Sequence, residues 1–181
     1  MRLFRTLLLC VLLVFPMFGC AAIPLTDSAK ARNLMDGVTQ FYMTDAIITT
    51  GTAEVRARIY RPDPMTTQVE LLDPENVAGL VYSFCEGGVA LNFQGLSFNV
   101  DPFLGTRTVP VLRGVSALSA LLLPGQEREL PQRQDGFWVL RGEFAGEQVL
   151  LILDEESGLP TKLLLQGLEV QFIFENFVFL G

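Results

Sequence analysis

Apolar positions in this chain fall into three patterns: a continuous run near the N-terminus, two stretches at helical spacing, and many short stretches that alternate with polar residues. The first helical stretch runs from about Asp27 to Met43, where Leu34, Val38, Phe41 and Tyr42 recur on one face. Asp27 or Ser28 is placed to cap it, and Gly37 weakens its middle. The second covers Val111 to Leu123, with a stripe of Val111, Val115, Leu118 and Leu122, and Pro124-Gly125 stops it. Elsewhere the period is two. Ala53, Val55, Ala57 and Ile59 face one way and Glu54, Arg56, Arg58 and Tyr60 the other; the turn Arg61-Pro62-Asp63-Pro64 then leads to a strand from Thr66 to Leu72. Asp73-Pro74-Glu75-Asn76 breaks the pattern.

Short strands follow: Gly79 to Cys85 with Leu80, Tyr82 and Phe84 on one side, then Val89, Leu91 and Phe93 beyond the turn Glu86-Gly87-Gly88, then Leu96, Phe98 and Val100. Phe137 to Phe144 and Gln148 to Leu153 read as a hairpin around Ala145-Gly146-Glu147. After the polar turn Asp154 to Pro160 come Thr161 to Gln166 and Leu168 to Leu180, bent at Gly167. The last strand aligns Leu168, Val170, Phe172, Phe174, Val178 and Leu180 on one face, interrupted by Asn176. Few helices and many locally joined strands imply an α+β, mainly β fold: a half-open antiparallel barrel or strongly curved sheet, covered by one or two helices. No internal repeat or second domain is visible.

The N-terminal run changes the picture from fold to destination. Arg2 and Arg5 precede an apolar segment from Thr6 to Phe18, the order of a secretory signal. At about 13 residues it falls short of the roughly 20 that span a bilayer. Met17-Phe18-Gly19-Cys20 resembles the lipobox of bacterial lipoproteins, with a small residue before the cysteine that accepts a diacylglyceryl group. The organisation expected is signal peptide over 1–19, lipidated Cys20 and tether over 20–27, and one lipoprotein domain over 28–181. The mature chain is then extracytoplasmic and held by membrane lipid through Cys20; two or more acyl chains anchor stably where one does not.

Cleavage removes Cys10, so Cys85 is the one cysteine left beside Cys20 and no intrachain disulfide forms. Losing Arg2 and Arg5 takes the 13 basic residues to 11 against 20 acidic, a net −9, which disfavours nucleic acid. With no histidine anywhere, the commonest general base and metal ligand are missing. Gly114-Val115-Ser116-Ala117-Leu118 lacks the last glycine of a nucleophile elbow. Glu155-Glu156 reads as a solvated turn and Glu75 as a helix-start residue. The expectation is a protein with no catalytic residues, metal or cofactor; the alternative is a carboxylate-dependent envelope hydrolase, which needs two acids facing each other across a cleft.

The remaining signal is greasiness: 14 phenylalanines, and one strand apolar on both faces, where Val149, Leu151 and Leu153 alternate with Leu150 and Ile152. Either both faces are packed, or part of the interior is a cavity for an apolar ligand such as an acyl chain. Phe172, Phe174, Leu91, Phe93 and Phe98 are the candidate lining of such a cavity.

The order of elements, with Leu72-Asp73-Pro74-Glu75-Asn76-Val77-Ala78-Gly79-Leu80 followed by Val89-Ala90-Leu91-Asn92-Phe93, resembles the LolA/LolB-like superfamily over about residues 30 to 180. Within it the chain looks closer to the germination-lipoprotein (GerS-like) proteins of Firmicutes than to the lipoprotein carriers. The resemblance implies a half-open antiparallel barrel with helices as a lid. It also implies a binding role toward a lipid-like ligand or an envelope partner protein, in spore germination or envelope maintenance. The carriers use a basic residue beside a hydrophobic cavity. Arg56 and Arg58 lie on the polar side of their strand, so that role is not assigned to them. Fold likeness alone does not carry function.

Overall fold

The computed structural model describes residues 26–37, 39, 41–85, 88–100, 109–123 and 129–180. The expected signal segment and Cys20 lie outside them. The described elements are α1 (Asp27–Gly37), β1 (Tyr42–Thr50), β2 (Ala53–Arg61), β3 (Thr67–Asp73), β4 (Val81–Cys85), β5 (Gly88–Phe93), β6 (Leu96–Val100), α2 (Pro110–Leu122), β7 (Gln132–Gln134), β8 (Phe137–Phe144), β9 (Glu147–Asp154), β10 (Pro160–Leu165), a 3-10 turn (Gln166–Leu168) and β11 (Val170–Phe179). All 11 strands join one antiparallel sheet in the order β6-β5-β4-β3-β2-β1-β11-β10-β9-β8-β7. The chain therefore starts the sheet in the middle with β1, builds outward to the edge β6, and returns to build the other half inward from β7 to β11. The sheet is curved and does not close, because β6 and β7 are not paired with each other.

Register defines the concave face. One row runs Leu140–Leu151–Leu163–Phe172–Ile48–Val55 across six neighbouring strands, and all but Val55 are fully buried. Helix α2 lies in this concavity. Its expected stripe of Val111, Val115, Leu118 and Leu122 is buried, but so are Leu112, Gly114, Ala117, Ser119 and Leu121. A sheet that curls around a helix leaves little of it facing water, which explains a helix apolar nearly all round. Two glycines set the depth of the helix. A Cβ on Gly114 would lie 2.0 Å from the Phe172 ring, and one on Gly142 would lie 2.4 Å from a Leu121 methyl. The doubly apolar strand β9 is explained too: Val149, Leu151 and Leu153 are fully buried beneath α2, whereas Leu150 and Ile152 are half-buried on the convex side beside Leu164 and Lys162.

Three expectations need correction. The first helix does not reach Met43: α1 ends at Gly37, and residues from Tyr42 belong to β1, a central strand paired on both sides with β2 and β11. The apolar spacing of Leu34, Phe41 and Tyr42 fitted a helix by coincidence; ladder hydrogen bonds on both edges won. The helix is capped by Thr26, whose carbonyl accepts from Ala29 and Lys30 at 2.9 and 3.0 Å, rather than by Asp27 or Ser28. Second, β7 (Gln132–Gln134) is a polar edge strand that alternation could not reveal, since all three residues are exposed. Third, β11 changes face. Asp45 pairs with Glu175 and Met43 with Val178, so Asn176 and Phe177 oppose the single residue Thr44. Asn176 adopts φ 53°, the left-handed conformation asparagine tolerates, and the bulge turns Phe177 inward in place of Val178. The buried Thr44 hydroxyl holds the bulge, 3.0 Å from the Glu175 carbonyl and 2.9 Å from that of Asp45. Phe177 then stacks on Tyr42 with ring centroids 5.2 Å apart and meets Phe174 edge-on at 5.5 Å.

Candidate functional site

Helix α2 covers the β8–β11 half of the concavity more fully than the β3–β6 half. Its C-terminal turns, with Val115, Ser116, Ser119, Ala120 and Leu123, form one wall of a cleft of about 250 Å³. The other wall is Arg61, Pro64, Met65, Thr67 and Phe84. Beyond Phe84 the inner face continues through rows fixed by register: Val69–Tyr82–Leu91–Phe98, and Phe93–Leu96 at the end of the β5–β6 hairpin. Burial falls along the first row, from fully buried Val69 through half-buried Tyr82 and Leu91 to Phe98, which is 52 % exposed. An apolar path thus leads from a covered cleft to an open sheet edge.

The five lining candidates separate along this path. Phe172 and Phe174 are buried in the core near α2, on the covered half. Leu91 and Phe93 are half-buried on β5, and Phe98 stands exposed on β6. The last three share one stretch of the inner face; the first two do not reach it.

Arg61 is the residue that sequence reasoning left out, having assigned it to a turn. Continuing the alternation of Val55, Ala57 and Ile59 by one step puts position 61 on the inward face, and that signal was present. Its Nη1 donates to the hydroxyls of Thr67 and Ser119, both at 3.0 Å, and its Nη2 to the Pro64 carbonyl at 3.1 Å. Its Nε is buried with no acceptor. Among the described residues no carboxylate lies within 4.0 Å of the guanidinium. The arginines on the other face behave as expected: Arg58 pairs with Asp45 at 2.9 Å and Arg56 with Glu175, both exposed to solvent. Asp63, in the turn after β2, is held below the usual aspartate range mainly by the Met65 backbone N–H, then by Thr66, with Arg61 a smaller contributor.

Ser119 accepts from Arg61, so its own proton is free to meet the Tyr42 oxygen at 3.5 Å. Burial raises the Tyr42 phenol to about 12, against the opposing pull of Ser119 and Arg61. The folded chain therefore keeps the neutral phenol more tightly than the unfolded chain. That contribution to stability is complete below pH 10 and disappears as pH rises through about 12. An ultraviolet absorbance titration of folded protein should show this late ionisation, and Tyr42→Phe should remove it without moving the other two tyrosines. A Tyr42 that ionises with the free phenol would mean that water reaches the network.

No described Asp or Glu is buried. Glu155 and Glu156 line a separate cleft of about 470 Å³ beside Lys30, Trp138 and Phe179, where Glu155 is bound to Arg133. Among the described residues no group of three or more Cys, Asp or Glu could hold a metal ion, and no helix is long and apolar enough to cross a membrane.

No family model and no curated protein matches the sequence. Solved structures with a similar fold include an uncharacterized conserved protein from Thermus thermophilus, at 16% identity and TM-score 0.47, over 83% of this chain and 88% of that one. A LolA superfamily protein from Nitrosomonas europaea is 12% identical at TM-score 0.45, over 87% of this chain and 95% of that one. A chain of the complex between the CwlD amidase from Clostridioides difficile and the GerS lipoprotein is 10% identical at TM-score 0.40, over 82% and 88%. By its own topology the chain is an open, curved antiparallel sheet wrapped on a helix, the architecture implied by its resemblance to LolA/LolB-like proteins, and the solved structures it is similar to include a protein of that superfamily.

Proposed function

We propose that this chain is an extracytoplasmic, membrane-anchored, non-enzymatic binding protein that holds an acyl ligand with an acidic head in the cleft between α2 and β3–β4. One observation carries the reading: Arg61, a guanidinium with no carboxylate partner among the described residues, forms part of the wall of an otherwise largely apolar cleft. A carboxylate or phosphate there gains charge-assisted hydrogen bonds, and a tail finds Phe84 and then Tyr82 and Leu91 along the inner face. The anchor is the lipidated Cys20 expected from the sequence. Spore germination or envelope maintenance is the setting that the resemblance implies for such a protein.

The test is binding of a fluorescent fatty acid to a Cys20→Ser form, which carries no acyl chains of its own to compete. Ser116→Trp should block the cleft and abolish binding. Arg61→Met removes hydrogen bonds to a charged head worth about 1.5–3 kcal/mol, so affinity should fall roughly 10- to 150-fold. Binding unaffected by both changes would refute the cleft. A second reading rests on the edge strand β6, whose Leu96 and Phe98 are exposed: an envelope partner protein adds a strand there. Binding of an envelope protein that is lost with Phe98→Asp but not with Ser116→Trp would favour it.

A further inference from the structure

The ends of the sheet differ. Among the described residues, nine large apolar side chains are exposed, and five of them stand at one end. These are Met43, Tyr60, Met65, Phe137 and Val178, each between 39 and 50 % exposed. Register places them. Val178, Met43 and Tyr60 are cross-strand neighbours on the convex side of β11, β1 and β2. Met65 lies in the β2–β3 turn that follows Tyr60 and Arg61. Phe137 opens β8 opposite Asp154 at the end of β9. The opposite end, formed by the Gly51-Thr52, Gln94-Gly95 and Ala145-Gly146 turns, carries only Leu96 of that set.

The chain also enters the domain at this apolar end. Asp27 and Ser28 line a surface hollow with Trp138, the neighbour of Phe137, and Leu34 and Lys30 line the neighbouring one with Trp138 and Phe179. Only six residues lie between Cys20 and Asp27, seven residue steps in all. Fully extended, they reach about 24 Å. The five strand spacings from β8 to β2 also add up to about 24 Å. A lipid on Cys20 therefore cannot hold the domain far from the bilayer, and the end nearest the anchor is the one with exposed apolar side chains.

We infer that this rim is a membrane-contact surface, with Met65, Phe137 and the Val178–Met43–Tyr60 row resting at the lipid interface. The inference rests on the anchoring at Cys20 proposed above. It sets the mouth of the Arg61 cleft, which Met65 and Pro64 share, toward the lipid. Asp63, Asp154, Glu155 and Glu156 stand on the same rim, so the surface suits zwitterionic lipid and is repelled by anionic lipid at low salt.

The experiment uses the full acylated chain in phosphatidylcholine vesicles, with Cys85 replaced by alanine so that introduced cysteines alone take a nitroxide label. Labels are placed singly at Met65, Phe137 and Val178, and at Leu96 as the far-end reference. Power saturation should show several-fold less collision with a water-soluble nickel complex, and more with oxygen, at the three rim positions than at Leu96. Phosphatidylglycerol vesicles at low salt should reduce the contrast. Intact mass is read first. A chain without acyl mass removes the anchor and the rim assignment together. An acylated chain whose rim labels are as aqueous as Leu96 overturns the rim assignment alone and leaves the anchor standing. Spin–spin broadening between copies would assign the rim to a second copy of the chain and also overturn it.

Discussion

Gly114→Ala should destabilise the protein by about 1–3 kcal/mol, although the same change in an exposed helix would stabilise it by about 1 kcal/mol. The sign is set by Phe172. A Cβ at position 114 would meet two ring carbons at 2.0 and 2.2 Å, and the ring is fully buried and closely packed among its neighbours. Helix and sheet must separate, which strips contacts along the whole of α2. Gly142→Ala is the informative comparison, because its obstacle is a terminal methyl of Leu121 at 2.4 Å. A leucine end can rotate where a buried ring cannot, so that substitution should cost less. Urea unfolding measures both. Shortening the obstacle tests the cause: Gly114→Ala combined with Phe172→Leu should lose less than the two separate losses summed. A Gly114→Ala variant as stable as the parent would mean that α2 does not lie against Phe172 and that the covered half of the concavity is looser than described.

The second large effect separates neighbours on one strand. Phe177→Ala should cost about 3–5 kcal/mol, since it empties a buried aromatic site between Tyr42, Phe174 and Phe179. Val178→Ala, on a side chain 48 % exposed, should stay within about 0.5 kcal/mol. Simple alternation along the strand assigns these two positions the other way round. The experiment therefore reads the bulge itself: comparable losses, or a larger loss at Val178, would restore an unbroken register and remove Phe177 from the core.

That reversal shows where reading along the chain stops. The period-two pattern of 53–60 needed no correction, because each residue there keeps the same face for the whole of β2. The pattern of β11 failed at Asn176, where one residue with φ 53° adds a step that alternation does not count. Asparagine inside an apolar strand was a visible warning; its conformation was not. Helix α2 was legible because a long apolar stripe at helical spacing ends at Pro124-Gly125. Strand β1 was not, because its first residue, Tyr42, also continues a helical spacing, and only its pairing with β2 and β11 resolves the ambiguity. The candidate cleft was half legible. Leu91, Phe93 and Phe98 lie on one open stretch of the inner face, while Phe172 and Phe174 belong to the packed half. Arg61 was passed over because a proline follows it, although the alternation of β2 already pointed it inward.

Local chemistry by itself determined the class of fold, the positions of most turns, the exported character expected of the N-terminus and the lack of histidine chemistry. Each of these depends on neighbours within a few residues: the charge before an apolar run, the period of a strand, the glycine or proline that ends it. Only the tertiary structure decided which apolar residues are core and which remain open, since that depends on where α2 lies across the sheet. It also decided that Arg61, which has no acidic partner among the described residues, lines the cleft, and that five of the nine large apolar side chains exposed among those residues gather at one end of the sheet. Those facts arise from strands far apart in the sequence meeting in register, and no period along the chain records which strand a residue will lie beside.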